Sequence, residues 1–209
     1  MNPWLWAGAL LAYTAFRAWY DNWRGPVSPA EAEALVERLR RTGAGENGRN
    51  DLAVMERFLA EDDGREFFML NVVRFAAEPV ADPETGMLRP AREMLSGYTK
   101  MFMPALFARG GHPAIAARVV GGYFDTWGME PGPSWSLIGY MRYRSRRDLA
   151  MLASDPRFAG AHEFKFAAMP QTFNIPTQPR ILALASPRLT VGLAITLIAA
   201  ILQIAFLIA

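Results

Sequence analysis

The sequence predicts an α+β domain flanked by two apolar helices. Between residues 66 and 180, short apolar segments typical of strands alternate with segments of helical periodicity. An apolar segment of helix length stands near each end of the chain. The 209 residues are 52% hydrophobic and 20% charged, a balance that excludes an intrinsically disordered chain and allows a buried core.

Charge and composition exclude several classes of function. A net charge of +2 is too small to predict binding to nucleic acid. Because the chain contains no cysteine, disulfides, thiolate catalysis, zinc–thiolate sites and iron–sulfur clusters are all excluded. Lys100 and Lys165 are its only lysines, so Schiff-base chemistry has two candidate nucleophiles.

Residues 1–24 are predicted to form an N-terminal transmembrane anchor. Aromatic residues stand at both ends of its apolar segment: Trp4, Trp6, Trp19, Tyr20 and Trp23. Their separation of about 23 to 26 Å along a helix matches the two aromatic belts of a bilayer. Hydropathy alone also allows an interfacial helix or a signal peptide, but the first sixteen residues lack the basic residues of a secretory signal.

Residues 186–209 are predicted to form a C-terminal transmembrane helix. The segment from Leu189 to Ala209 has no charge and is about 31 Å long as a helix, enough to cross a bilayer. Four arginines stand at the domain-side ends of the two anchors: Arg17, Arg24, Arg180 and Arg188. This bias predicts a two-pass protein of a bacterial inner membrane whose central domain is cytoplasmic.

Residues 25–65 are predicted to form a helical linker segment. A capping box from Ser28 to Glu31, with Pro29 at the first helical position, opens a helix over about residues 29–42. A second amphipathic helix is predicted over about residues 51–60.

Residues 66–180 are predicted to form a ferredoxin-like domain. The predicted elements are, in order, a strand at 67–75, a helix at 91–109, a hairpin of strands at 114–127 and 134–143, helical segments at 145–153 and 155–168, and a strand at 171–175. A capping box from Ser145 to Asp148 opens the first of those helical segments. The order βαββαβ predicts a four-stranded antiparallel sheet with both helices on one face. The other face of the sheet is then expected to pack against a further element or a partner.

Four segments of this domain resemble the dimeric alpha-beta barrel superfamily, and within it small bacterial single-domain proteins. They are FFMLNVVRF, GYTKMFMPALFARGGHP, ARVVGGYFDTW and WSLIGYMRYRSRRDLAMLASDPRFAGAHEF. The resemblance covers about residues 66–178. It implies that two copies pair sheet to sheet around a cavity, which relatives use for aromatic polyketides, lactones or haem. The terminal anchors and the linker helices depart from that family, so the domain could pair instead with another protein.

Five titratable residues form a candidate ligand pocket: Tyr98, His112, Arg118, Asp125 and His162. A histidine in a turn, such as His112, is more often a capping or surface residue than a ligand. His162 and Glu163 resemble the start of an H-E-x-x-H zinc motif, but position 166 is Phe. With two histidines in the chain, a three-histidine metal site is excluded, and we predict neither a metal nor a cofactor.

Four closely spaced arginines are a candidate site for lipid headgroups or other anions: Arg142, Arg144, Arg146 and Arg147. The alternative is an ordinary solvated strand end whose arginines have partners at i,i+4-type spacing. Five small residues at four-residue spacing could form helix-packing faces in the two anchors: Gly8, Ala12, Gly192, Thr196 and Ala200. Small residues are also common in membrane helices by chance.

Two functions remain. The first is an accessory or scaffolding subunit that packs its transmembrane helices on a larger integral-membrane complex, of respiratory or photosynthetic type, and presents a cytoplasmic ferredoxin-like domain. The second is a membrane-tethered dimeric barrel, monooxygenase-like or isomerase-like, that acts on an apolar aromatic ligand. Two anchors exceed what tethering needs, and no acid–base constellation is evident, so the first function and a chain that is not an enzyme are favoured.

Overall fold

A computed structural model of the chain describes residues 2–43, 51–130, 132–158, 160–181 and 185–208. The chain divides into two compact units, one of Met1–Trp23 with Pro179–Ala209 and the other of Arg24–Gln178. The first unit, here the helical hairpin, contains α1 (Pro3–Tyr20) and α7 (Pro187–Ile208). The second, here the α+β unit, contains every other element described.

The α+β unit has five α-helices and six strands within the described residues. The helices are α2 (Pro29–Arg41), α3 (Leu52–Ala60), α4 (Ala91–Ala108), α5 (Arg146–Ala153) and α6 (Ala161–Ala168), with a 3₁₀ turn at Pro156–Phe158. The strands are β1 (Phe67–Arg74), β2 (Val80–Ala81), β3 (Leu88–Arg89), β4 (His112–Arg118), β5 (Leu137–Tyr143) and β6 (Gln171–Thr177).

Four strands form one antiparallel sheet in the order β4-β5-β1-β6, and β2 pairs with β3 in a separate short ribbon. In this register Asn71 on the central strand β1 lies opposite Gly139 on one side and Asn174 on the other. The predicted α+β class with a four-stranded antiparallel sheet is therefore confirmed.

One face of the sheet is covered by helices. Phe67 packs in a cluster with Leu106, Leu152 and other residues, here the Phe67 cluster. Val73, at the other end of the same strand, packs in a cluster with Met94 and Ala168, here the Val73 cluster. The alternation of side chains along β1 places Phe67, Asn71 and Val73 on this helix-covered face.

The opposite face of the sheet carries a row of apolar side chains. Cross-strand partners share a face, so this open face includes Leu70, Val72, Ile115, Tyr140, Ile138, Phe173 and Ile175. Four of them are exposed: Ile115, Ile138, Phe173 and Ile175. Within the described residues, the α+β unit leaves this face largely uncovered.

Both predicted capping boxes form. The hydroxyl of Ser28 accepts from the backbone N–H of Glu31 at 3.3 Å, and that of Ser145 accepts from Asp148 at 3.1 Å. Each interaction satisfies a donor that the first turn of a helix leaves without an intrahelical partner. The linker helices α2 and α3 pack on α5 through a third cluster that includes Leu35, Leu59 and Ala150.

Three features of the α+β unit differ most from the sequence predictions. Strand β4 ends at Arg118 rather than near residue 127, and its described continuation to residue 136 is a loop. The predicted helical segment 155–168 is divided into the 3₁₀ turn and α6. The ribbon of β2 and β3 lies between the first predicted strand and the first predicted helix of the domain, where the sequence predicts no element. Glycine and proline in the β4–β5 loop explain the first difference, because they weaken strand pairing.

One described helix, α7, is long and apolar enough to cross a membrane, where the sequence predicted two such helices. This test concerns length and composition alone. Helix α1 has 18 residues, but Arg17 and a high content of aromatic residues make it less apolar than α7. Of the two predicted spans, this criterion supports the one at α7.

The two helices of the hairpin are antiparallel. At one end, the backbone N–H of Asn2 donates to the Gln203 side-chain oxygen at 2.7 Å. At the other, the Arg188 guanidinium donates to Asp21 at 2.6 Å. Both ends of the hairpin therefore have a polar contact between the two helices.

Candidate functional site

Tyr98 and His162 are the two predicted pocket residues that the structure brings together. Tyr98 lies on α4 and His162 on α6, and their rings stack with centroids 5.8 Å apart. His162 also stacks on Phe166, and Tyr98 on Phe102. Gly97 allows the close approach of the two helices, since an added Cβ there would lie 2.7 Å from the Phe164 ring.

Lys165 joins this pair, although it was not among the predicted pocket residues. Its Nζ lies over the Tyr98 ring, 5.7 Å from the centroid. Burial lowers the pKa of Lys165, and together with the nearby lysine charge it lowers the pKa of His162. Burial also raises the pKa of the Tyr98 and Tyr143 hydroxyls, which therefore remain protonated at neutral pH.

The other three predicted pocket residues lie elsewhere. His112 begins β4 and pairs in register with Arg142 on the open side of the sheet, where its Nδ1 lies 2.9 Å from the Pro113 carbonyl oxygen. The His112 Nε2 is buried without a hydrogen-bond partner in the described part of the chain. Arg118 at the end of β4 and Asp125 in the following loop are both exposed. The five residues do not form a single pocket.

All four residues of the predicted arginine cluster form ion pairs with carboxylates. The pairs are Arg142 with Glu66, Arg144 with Asp148, Arg146 with Asp62 and Arg147 with Glu31. Arg142 is the most buried of the four, at 1% exposure, and its guanidinium also lies over the Phe68 ring. These contacts give the cluster a structural role, and they compete with the lipid or anion site that the sequence suggested.

The predicted small-residue faces fall on different sides of the hairpin helices. Gly192 faces α1, where an added Cβ would lie 3.3 Å from the Tyr13 ring. Gly8 has no described atom within 4 Å of its Cβ position, and Ala12 and Thr196 are exposed. Ala200 is partly buried, whereas its neighbour Ala199 is fully buried. The contact between the helices therefore includes Gly192 and Ala199.

Sequence reasoning also missed an apolar loop. The loop between β4 and β5, residues 119–130 and 132–136 as described, exposes four large apolar side chains: Val120, Phe124, Trp127 and Met129. At its base the indole N–H of Trp135 donates to the Tyr123 hydroxyl at 2.6 Å, and the Trp135 ring packs on the edge of Phe173. The loop is therefore joined to the open face. A run of aromatic residues around Gly121 and Gly122 was the available signal, but it was interpreted as strand.

Metal chemistry finds no support in the described residues. No group of three or more histidine and carboxylate side chains among them converges in a way that could hold a metal ion. The acid–base groups that do converge are Tyr98, His162 and Lys165.

Comparisons with known proteins support the fold but give no function. No family model matches the chain, and no curated protein matches it. A crystal structure of methylated RPA0582 is 22% identical, with a TM-score of 0.51, covering 63% of this chain and 93% of that one. A second structure, of the RPA0582 protein of unknown function from Rhodopseudomonas palustris, is 21% identical, with a TM-score of 0.50, covering 62% of this chain and 94% of that one. At these identities the likeness concerns the fold alone.

Proposed function

We propose that this chain is a membrane-anchored accessory subunit that joins a larger integral-membrane complex and presents its α+β unit on the cytoplasmic side. The observation that carries the proposal is the open face of the sheet. Ile115, Ile138, Phe173 and Ile175 are between 36% and 47% exposed there. A contiguous apolar surface of this kind is typical of a protein–protein interface.

In this proposal α1 crosses the bilayer together with α7. The polar contacts at both ends of the hairpin and the close approach at Gly192 support insertion of the two helices as a pair. The Asn2 N–H satisfies the Gln203 side-chain oxygen, whereas the Gln203 Nε2 has no partner among the described residues and would need one from a neighbouring helix in hydrocarbon. Helix α7 exposes large apolar side chains such as Leu193, Leu197 and Ile201, which suit lipid or neighbouring helices.

A second candidate follows from the same open face. The strand order and the position of α4 and α6 on one side of the sheet support a ferredoxin-like arrangement. Two copies pairing face to face would form a dimeric alpha-beta barrel, membrane-tethered and able to enclose an apolar aromatic ligand. This candidate differs from the first in the identity of the partner.

Purification of the tagged native protein in mild detergent, followed by mass spectrometry and a determination of particle mass, separates the two candidates. We expect integral-membrane proteins to co-purify in fixed stoichiometry. A clean homodimer would replace the accessory-subunit proposal with the barrel, and a monomer would contradict both.

A pair of variants locates the interface. Ile175→Glu places a charge on the open face, whereas Met87→Glu places one at an exposed apolar position near β3. We expect Ile175→Glu to release the partner and Met87→Glu to retain it, because burying an unpaired carboxylate in an interface is costly. Equal retention by both variants would exclude the open face as the binding surface.

A further inference from the structure

The centre of the layer between sheet and helices is polar, although both ends of that layer are apolar. The Phe67 cluster fills one end and the Val73 cluster fills the other. Strand β1, α4 and α6 each contribute residues to both clusters. The residues midway along these three elements are at one level between the clusters, and Tyr98 there also packs against the Phe67 cluster.

Polar residues occupy that level on both the sheet and the helices. Asn71 stands between Phe67 and Val73 on the helix-covered face, and its side-chain oxygen accepts from the Asn174 amide at 2.7 Å. Gly139, opposite Asn71 on the other side, adds no side chain. On the helices, Tyr98 lies one turn from both Met94 and Phe102, and Lys165 lies between Ala161 and Ala168.

The amine of Lys165 has unusual surroundings at this level. No carboxylate among the described residues lies within ion-pair distance of its Nζ, which lies over the Tyr98 ring. By contrast, the carboxylates of Glu31, Glu66 and Asp148 elsewhere in the unit each pair with an arginine. Desolvation of an ammonium without a counterion is costly, and a single aromatic face offsets only part of that cost, so the neutral amine is favoured.

We propose that Lys165 is a carbonyl-reactive amine, and that this polar level is a site for a small aldehyde or ketone. The Lys165 nitrogen adds to the carbonyl carbon, and the carbonyl oxygen gains a proton to give a carbinolamine. Loss of water then breaks the carbon–oxygen bond and leaves an imine, so that the amine and the carbonyl compound give the imine and one water. The step needs neither an oxidant nor a reductant.

The neighbouring groups suit this chemistry. The Tyr98 hydroxyl stays protonated and is a hydrogen-bond donor, and burial alone lowers the pKa of His162, which favours the uncharged imidazole as a proton acceptor. The half-buried Asn71 amide adds a further hydrogen-bonding group on the sheet side, and its partner Asn174 is exposed. The site lies on the helix-covered side of the sheet, so it does not depend on the partner that the open face binds.

The exposed Lys100 on α4 provides an internal reference for a test. The full-length protein in detergent is treated with propanal and sodium cyanoborohydride at pH 7, which reduces each imine to a stable propyl amine. Digestion and mass spectrometry then give the labelling rate of each lysine. We expect Lys165 to be labelled at least about tenfold faster than Lys100, because reductive alkylation follows the fraction of neutral amine.

Denatured chain serves as the control for the fold. In sodium dodecyl sulfate we expect Lys165 and Lys100 to be labelled at similar rates, since both are then exposed to solvent. Labelling of Lys165 at or below the rate of Lys100 in the folded protein would overturn the proposal. A rate preference that persisted unchanged in the denatured chain would also overturn it, because local sequence rather than the site would then explain the reactivity.

Discussion

Arg147 on α5 and Glu31 on α2 form a two-point ion pair, with the guanidinium Nε and Nη2 donating to the two carboxylate oxygens at 2.6 and 2.9 Å. The same guanidinium also donates to the backbone carbonyls of Gly25 and Pro26. One side chain thus fixes both the start of α2 and the segment before it to α5. This contact explains how the linker helices become part of the α+β unit.

Replacing Arg147 with alanine should therefore destabilise the α+β unit. Arg147 is 6% exposed, and its loss leaves the Glu31 carboxylate and two carbonyls without this donor. We expect a loss of about 1 to 3 kcal/mol in the free energy of unfolding, measured by denaturant titration in detergent.

Arg24→Ala is the matched control, because Arg24 pairs with the same carboxylate but its side chain is 70% exposed. Exposed ion pairs contribute little to stability, so this variant should unfold close to the wild type. If Arg24→Ala destabilises the protein as much as Arg147→Ala, the buried ion pair between Arg147 and Glu31 is not the source of the stability.

Asp155 should make stability depend on pH in the acid range. The hydrogen bond from Arg157, with further stabilisation from Arg109, lowers the pKa of Asp155 to about 2. A carboxylate whose pKa is lower in the folded state stabilises that state above its unfolded pKa of about 3.9, and this stability is lost as pH falls towards the folded pKa.

Asp155→Asn should accordingly flatten the decline in stability between about pH 4 and pH 2. The amide oxygen of asparagine can still accept from the Arg157 backbone N–H, so the 3₁₀ turn should persist. Exposed Asp125, changed to asparagine, is the control for the removal of one carboxylate. Identical slopes for Asp155→Asn and the wild type would contradict this role.

Local signals explain which parts of the fold were predictable. The capping boxes at Ser28 and Ser145 rely on residues three positions apart, and both formed as the sequence indicated. The α+β class and the antiparallel sheet follow from periodicity in the same way. Strand β4 was predicted too long because valine and aromatic residues around Gly121 favour strands, although two adjacent glycines weaken pairing there.

Long-range contacts explain what remained beyond prediction. Arg142 and Glu66 are 76 residues apart in the chain, and Arg147 and Glu31 are 116 apart. Residue types alone indicated an exposed basic cluster, whereas the fold supplies a carboxylate to each arginine. The grouping of Tyr98, His162 and Lys165 similarly depends on how α4 and α6 cross, which no motif in the chain specifies.

Gly97→Ala should disturb the crossing of α4 and α6. The new Cβ would lie 2.7 Å from Phe164 Cδ1, closer than a stable contact allows. Overpacking of this kind costs about 1 to 3 kcal/mol, and it opposes the gain of about 1 kcal/mol from better helix propensity.

We therefore expect Gly97→Ala to have a lower thermal midpoint of unfolding than the wild type, as measured by circular dichroism in detergent. Gly121→Ala is a suitable control, since no described atom lies within 4 Å of its added Cβ. Gly97→Ala should also slow the labelling of Lys165 by propanal, because the displaced Phe164 adjoins Lys165 on α6. A thermal midpoint above that of the wild type would show that the ring moves aside without cost.

The pairing of α1 with α7 can be measured directly because the chain has no native cysteine. Cysteines introduced at the exposed positions Leu10 and Leu197 can be spin-labelled. Pulsed electron paramagnetic resonance then gives the distribution of distances between the two labels. In the wild-type background we expect one narrow distribution, since the hairpin has polar contacts at both ends.

Gly192→Leu should broaden that distribution, because even its Cβ would lie 3.3 Å from the Tyr13 ring and the rest of the side chain needs more room. Gly8→Leu adds the same side chain where no described atom lies within 4 Å, and it should leave the distances unchanged. If instead Gly8→Leu broadens the distribution and Gly192→Leu does not, the helices pack through the opposite face of α1. If neither variant has an effect, the polar contacts at the two ends are sufficient to hold the pair, and the close approach at Gly192 contributes little to it.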